Sequence, residues 1–366
     1  MSIQVELAHE KALRDTVRGA FHQMFSSRTV RDFMATDTGW DPATWQRLVR
    51  EVGVAGIAVG ERFGGSALSA REAGLVFEEA GRCLATAPLL AVTGLAVPLL
   101  CAARDDAASE RWLPALCDGS LIATVAYADA HGRFGPDRVD VRAKADRLFG
   151  TGGYVVDAAS ADVVFTPART ADGPAIFAVE RGAPGVEIRS LVTLDQTRKQ
   201  SHVVFDNAPA VRLRVADPAE ALNEAFATSC ALLACELSGV AAKCLDVTAE
   251  YARTRIQFGR PIGSFQAVKQ KLAELLIRVE SARSAATAAV AAVGTPDLWW
   301  TASLAKAYCS EASMRAAEET IQLHGGIGFT WEHDAHLYFK RARSGEELLG
   351  TAREHYARVG EHLRQI

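Results

Sequence analysis

The chain has 366 residues, enough for two or three domains around a sizeable core. With 49% apolar and 23% charged residues and a formal charge of -4, its composition excludes a disordered, fibrous or strongly basic chain. Small molecules and other proteins are therefore the expected partners, not nucleic acid.

The first residues, Met1 to Lys11, are charged from the outset and lack the apolar core of a signal peptide, so a cytoplasmic location is expected. The longest apolar stretch, near 87–103, is interrupted by Pro88 and Pro98, so no run is expected to reach the roughly 18 residues of a membrane span. Seven cysteines lie scattered without a Cys-x-x-Cys pair, which predicts reduced, buried thiols and no metal site.

From Glu6 to about Gly119 the apolar spacing is helical. Asp41 and Thr44 offer N-cap chemistry to a helix over Trp45–Val52, and another helix is expected from Ser69 to Cys83. Between them, Val52 to Ser66 is glycine-rich and breaks the pattern. The period changes near Leu121. Seven or eight short β-prone runs follow in about 95 residues with no helix between them, which predicts an antiparallel barrel or sandwich. After Pro218 three long helices return, over Ala219–Thr254, Phe265–Val293 and Asp297–Leu323, and read as a bundle. The expected fold class is thus α+β multidomain: an N-terminal helical domain (1–119), a middle antiparallel β-barrel (120–218) and a C-terminal helical bundle (219–366).

Two stretches carry chemistry. Tyr251 to Lys269 joins two helices and sets Arg255, Gln257 and Phe258 beside a flexible Gly259–Gly263 turn, a combination suited to an anion bearing a flat ring. Gln322 to Thr330 holds three glycines directly after a helix, a C-cap turn whose backbone N–H groups can face a phosphate.

These two motifs, in this order within a helical, β and helical chain, resemble those of the acyl-CoA dehydrogenase family, with support from Gly56 to Gly65. The resemblance implies a flavoprotein that introduces an α,β double bond into an acyl-CoA thioester, with electron-transfer flavoprotein or a similar acceptor. By the same resemblance, Arg255, Gln257, Phe258, Gln322, Gly325 and Gly326 match positions on the pyrophosphate and adenosine end of FAD. In the family these groups serve the flavin of the neighbouring subunit.

The family's own-subunit flavin contacts are missing here. Its Thr-Glu-Pro-x-x-Gly-Ser-Asp-like loop is replaced by Ala126 to Gly135, and its Trp-Ile-Thr/Ser by Tyr154 to Ala159. The segment between Arg341 and His355 is also too short for the usual loop that bears the catalytic Glu, and the alternative family position holds Ser229. Glu236, alone in an apolar helical run, lies two turns from Ser229, roughly 10 Å away. It is a candidate base or, more simply, a buried acid paired with Arg or Lys. Glu346 and Glu347 are weaker candidates, read as a solvated acid pair at a helix start. Arg198 suits either a phosphate contact or a turn held by Asp195.

The leading expectation is a degenerate subunit of a heteromeric acyl-CoA dehydrogenase, partnered by a second such subunit, that completes its neighbour's FAD site. Paired subunits of this kind in the family degrade steroid side chains, which makes a bulky acyl-CoA the expected substrate. The alternatives are a self-sufficient acyl-CoA or acyl-carrier-protein dehydrogenase that pairs with itself, and a scaffold that holds no flavin.

Overall fold

The computed structural model describes residues 8–364. The helical pattern expected from Glu6 is thus seen from Ala8 onward, and the amino-terminal stretch read against a signal peptide lies largely outside the described residues.

Local capping sets the boundaries of the first helices, α1 (Ala8–Met24), α2 (Ser27–Met34), α3 (Pro42–Val52) and α4 (Ala70–Arg82). Asp41 caps α3 by accepting from the Thr44 N–H, while Ser69 and Glu72 close a capping box on α4. A π-helical segment, Leu90–Ala96, runs into α5 (Val97–Ala103), and α6 (Asp106–Cys117) completes the helical part. Every residue of the π segment is buried. Such widened turns are rare and recur at functional sites.

The middle of the chain forms one curled, mostly antiparallel sheet of eight strands: β1 (Ala123–Val125), β2 (Asp140–Lys144), β3 (Arg147–Val156), β4 (Val163–Thr170), β5 (Gly173–Glu180), β6 (Val186–Ser190), β7 (Gln200–Pro209) and β8 (Val211–Arg212). Its order is β6-β7-β3-β2-β4-β5-β8, with β1 on β4. Two pairings, β1 with β4 and β2 with β4, are parallel, so the sheet is a half-barrel and not fully antiparallel as expected.

The bundle consists of α7 (Pro218–Thr254), α8 (Gln266–Ala291), α9 (Leu298–His324), α10 (Ala335–Glu347) and α11 (Ala352–Leu363). Glycines 81 and 239 mark the closest approach of α4 to α7. A Cβ on Gly81 would lie 2.0 Å from the Glu236 carbonyl oxygen, and one on Gly239 would lie 1.9 Å from that of Glu78. Helix α7, not the 87–103 stretch, is long and apolar enough by length and composition to cross a membrane. With 94% of that window buried in this fold, it serves as the central core helix. All seven cysteines are unpaired, but Cys101 is exposed and departs from the expected burial.

Candidate functional site

Both motifs singled out in the sequence stand at the same end of the bundle. Arg255 caps the C-terminus of α7, and the chain then turns back in a two-residue hairpin, β9 (Ile256–Gln257) against β10 (Arg260–Pro261). Its tip residues, Phe258 and Gly259, both take left-handed φ values of 54° and 74°. A tight hairpin that matches the strand twist requires this conformation, and Gly259 adopts it freely. Phe258 is 90% exposed and Ile256 61% exposed, and Arg255 and Gln257 are exposed as well.

Underneath, the Phe265 ring meets Phe258 edge-on at 6.1 Å and receives the Arg260 guanidinium at 4.1 Å. Arg255 forms no ion pair with the nearby acids: Glu250 pairs with Arg253 and Glu274 accepts from Gln270. Among the described residues Arg255 has no acidic partner.

The second motif follows α9. Gly325 ends that helix with φ 63°, and the chain continues in a short 3-10 turn, Gly325–Phe329. Gln322, Gly325 and Gly326 are exposed, and Ile327, Phe329 and Trp331 reach into solvent. Guanidinium, glycine backbone and exposed rings thus face outward on one surface. An anion with an attached planar group matches that surface.

The cleft between the sheet and the bundle is different. Leu90 and Leu95 of the π segment, Tyr127 and Tyr154 of the sheet region, and Leu348 and Leu349 after α10 meet there. About 10 Å³ of open space remains between them, room for about one water molecule and not for a three-ring flavin. Tyr127 is 1% exposed, packs edge-on against Phe226 and has no hydrogen-bond partner for its hydroxyl.

The loop after β1 spends its polar groups on itself. Asp129 is fully buried and accepts from the His131 and Arg133 N–H groups and from Arg133 Nε. Burial alone would raise its pKa, but these bonds hold it below the ordinary carboxylate value. Tyr154 sits at φ 49° against the His202 ring.

Glu236 is 2% exposed, and its oxygens are taken by Arg198 at 2.6 Å and Arg341 at 2.8 Å. Burial works to raise its pKa, yet the two guanidiniums outweigh it and hold the group ionised below its ordinary value. A general base works best with a pKa near the working pH and a free oxygen, and Glu236 has neither. Arg341 reaches on to Asp195, whose carboxylate also holds Thr197. Arg198 therefore points into the protein, toward Glu236. Ser229 is fully buried and donates to the Ala225 carbonyl.

Glu346 and Glu347 lie at the end of α10, not at a helix start, and both pair with Arg343. That arrangement follows from the four residues from Leu348 to Thr351, which link α10 to α11 through φ values of 59° at Leu349 and 101° at Gly350. One residue that sequence reasoning missed holds this turn in place. Lys306, completely buried, donates to Ser310 Oγ and to the Gly350 and Glu346 carbonyls. Its only sequence signal is a lone cation in the small-residue run Ala302 to Ala307, the same signal that drew attention to Glu236.

The order helical domain, curled sheet and helical bundle is the fold of known acyl-CoA dehydrogenases. Residues 8–120 match the model of the acyl-CoA dehydrogenase N-terminal domain, and residues 219–363 that of the C-terminal domain. The chain is 33% identical over 348 residues to acyl-CoA dehydrogenase IpdE2 of Mycolicibacterium smegmatis, covering 95% of this chain and 96% of that one. It is 36% identical over 342 residues to IpdE2 of Mycobacterium tuberculosis, covering 93% of each. Among solved structures it resembles the ChsE4-ChsE5 complex of Mycobacterium tuberculosis, with a TM-score of 0.90, 30% identity and full coverage of both chains. It also resembles a variant of the Tcur3481-Tcur3483 steroid ACAD, with a TM-score of 0.87, 30% identity and 98% coverage of each. The chain belongs to the acyl-CoA dehydrogenase family.

Proposed function

We propose that this chain is the non-catalytic subunit of a heteromeric, flavin-dependent acyl-CoA dehydrogenase. It would complete the FAD site of a second, catalytic subunit and leave its own cleft closed. The observation that carries this reading is the contrast between two surfaces of one chain. The Arg255 hairpin stands free and unpaired, while the cleft that would hold the chain's own flavin ring is filled by Tyr127, Leu348 and Leu349.

When bound, FAD supplies the acceptor for the hydride removed from the acyl β-carbon. This chain's residues would do the holding. Arg255 would offer its planar fork to the pyrophosphate, Phe258 and Gln257 would lie at the adenosine end, and the Gly325–Gly326 turn would supply backbone N–H groups. The base that takes the α-proton would come from the partner subunit, since Glu236 is locked between two arginines and Glu346 and Glu347 pair with Arg343.

The similar ChsE4-ChsE5 complex and the Tcur3481-Tcur3483 steroid ACAD support a hetero-oligomer and a bulky acyl-CoA substrate. Electron-transfer flavoprotein or a similar protein is the proposed acceptor. The test is Arg255→Ala in the complex co-purified with its partner. The proposal expects most bound flavin to be lost, and unchanged flavin content would favour a scaffold role.

A further inference from the structure

Beneath the exposed surface, three aromatic rings tie its two motifs together. Tyr251, one helical turn before Arg255, stacks on His324 with centroids 4.3 Å apart and an interplanar angle of 27°. Its hydroxyl donates to the His324 carbonyl at 3.4 Å. His324 is the last residue of α9, and its Nδ1 lies 2.7 Å from the Thr320 carbonyl, which fixes the ring's orientation. The His324 ring also meets that of His333, at 4.4 Å.

His324 and His333 flank the loop of residues 325–332, so their contact closes the loop at its neck. The far side of the neck is anchored to the N-terminal domain. Arg31 donates to the His333 carbonyl and pairs with Asp334 at 2.7 Å, and Ser27 also donates to Asp334.

Within the loop Gly328 is buried and Trp331 packs on His336 and Lys340, but its first two residues have little to hold them. A Cβ at Gly325 or Gly326 would meet nothing within 4 Å, so those residues pack against no neighbour. Glycine-rich backbone of this kind loses much conformational entropy when it is ordered around a ligand. Rings fixed at the neck reduce that loss before anything binds. Burial, and secondarily the nearby His333, keep the His324 pKa below the ordinary imidazole value.

We propose that Tyr251, His324 and His333 are positioning residues, a ring staple that fixes the spacing between the Arg255 hairpin and the Gly325 turn. This inference rests on the reading of that surface as a flavin clamp. The staple presents both halves of the clamp at one separation, so the ligand meets a formed surface.

The test compares Tyr251→Leu, Tyr251→Phe and His333→Ala with wild type and with Arg255→Ala. Hydrogen exchange of the 325–332 amides is read on the chain alone, and FAD dissociation on the co-purified complex. Tyr251→Leu and His333→Ala are expected to speed exchange in that loop and to weaken FAD binding about tenfold, the scale of one lost ring stack. Tyr251→Phe, which keeps the ring, is expected to stay near wild type in both. His333→Ala leaves the α7–α9 packing untouched and so keeps the test open if Tyr251→Leu does not fold. If Arg255→Ala loses FAD while Tyr251→Leu and His333→Ala change neither readout, the staple is overturned and the clamp stands. If Arg255→Ala retains FAD, the clamp reading itself fails.

Discussion

Lys306 Nζ lies 2.9 Å from the carbonyl oxygen of Gly350, and through that bond a fully buried cation fixes the turn that fills the cleft. The same ammonium serves Ser310 and Glu346, so all three of its protons are used without any carboxylate partner. Burial pushes its pKa down to about 8, because a low-dielectric interior disfavours the charged form. His355 adds a second hold, with Nε2 2.9 Å from the Leu349 carbonyl.

Lys306→Ala is expected to destabilise the chain by about 2–4 kcal/mol, because it opens a cavity and leaves buried carbonyls without donors. Denaturant unfolding of the purified chain measures this. Leu348→Ala should cost about as much by cavity formation. Neither change is expected to make the isolated chain take up flavin, since the loop after β1 still turns its polar groups inward on Asp129.

Glu236→Gln is expected to destabilise the protein by about 3–5 kcal/mol, because it strands the buried charges of Arg198 and Arg341. The exposed pairs of Glu346 and Glu347 contribute little, so their Gln variants should stay within about 0.5 kcal/mol of wild type. Turnover per bound flavin in the complex should be unchanged in all three. A loss of about 100-fold in any of them, the scale of a missing general base, would point to that Glu as a base and to a self-sufficient enzyme.

His355 gives the stability a pH signature. Burial first, then the charges of Lys306 and Arg358, push its pKa from 6.5 down to about 3. Between those values the unfolded chain binds a proton that the folded chain refuses. The contribution of neutral His355 is therefore complete above pH 6.5 and is lost as pH falls toward 3. Carboxylates also titrate across this window, so the relevant quantity is the difference in unfolding free energy between wild type and His355→Gln. That difference should shrink steadily on acidification, and a pH-independent difference would show that His355 is not held neutral.

Much of the architecture was legible because it depends on local periodicity and caps. The Asp41 cap, the helix beginning near Ser69, the long helices after Pro218 and the short runs between Leu121 and Pro209 all follow from neighbours in sequence. The Arg255 hairpin and the Gly325 turn were equally visible, because left-handed backbone calls for glycine. What stayed hidden depends on contacts far apart in the chain. The parallel β1–β4 pairing joins residues 40 apart, and Glu236 meets its arginines across 38 and 105 residues. A lone acid in an apolar helix carries the same pattern whether it awaits a substrate or an arginine. The position of Glu346 and Glu347 was misread for a related reason, since a short turn with Leu349 at positive φ carries no glycine until Gly350.

The most direct measurement of the central claim is the visible absorption spectrum of this chain purified alone, set beside that of its complex with a catalytic subunit. The account predicts a colourless chain and a yellow complex with one flavin for each pair of subunits. A yellow homo-oligomer that dehydrogenates acyl-CoA unaided would contradict it.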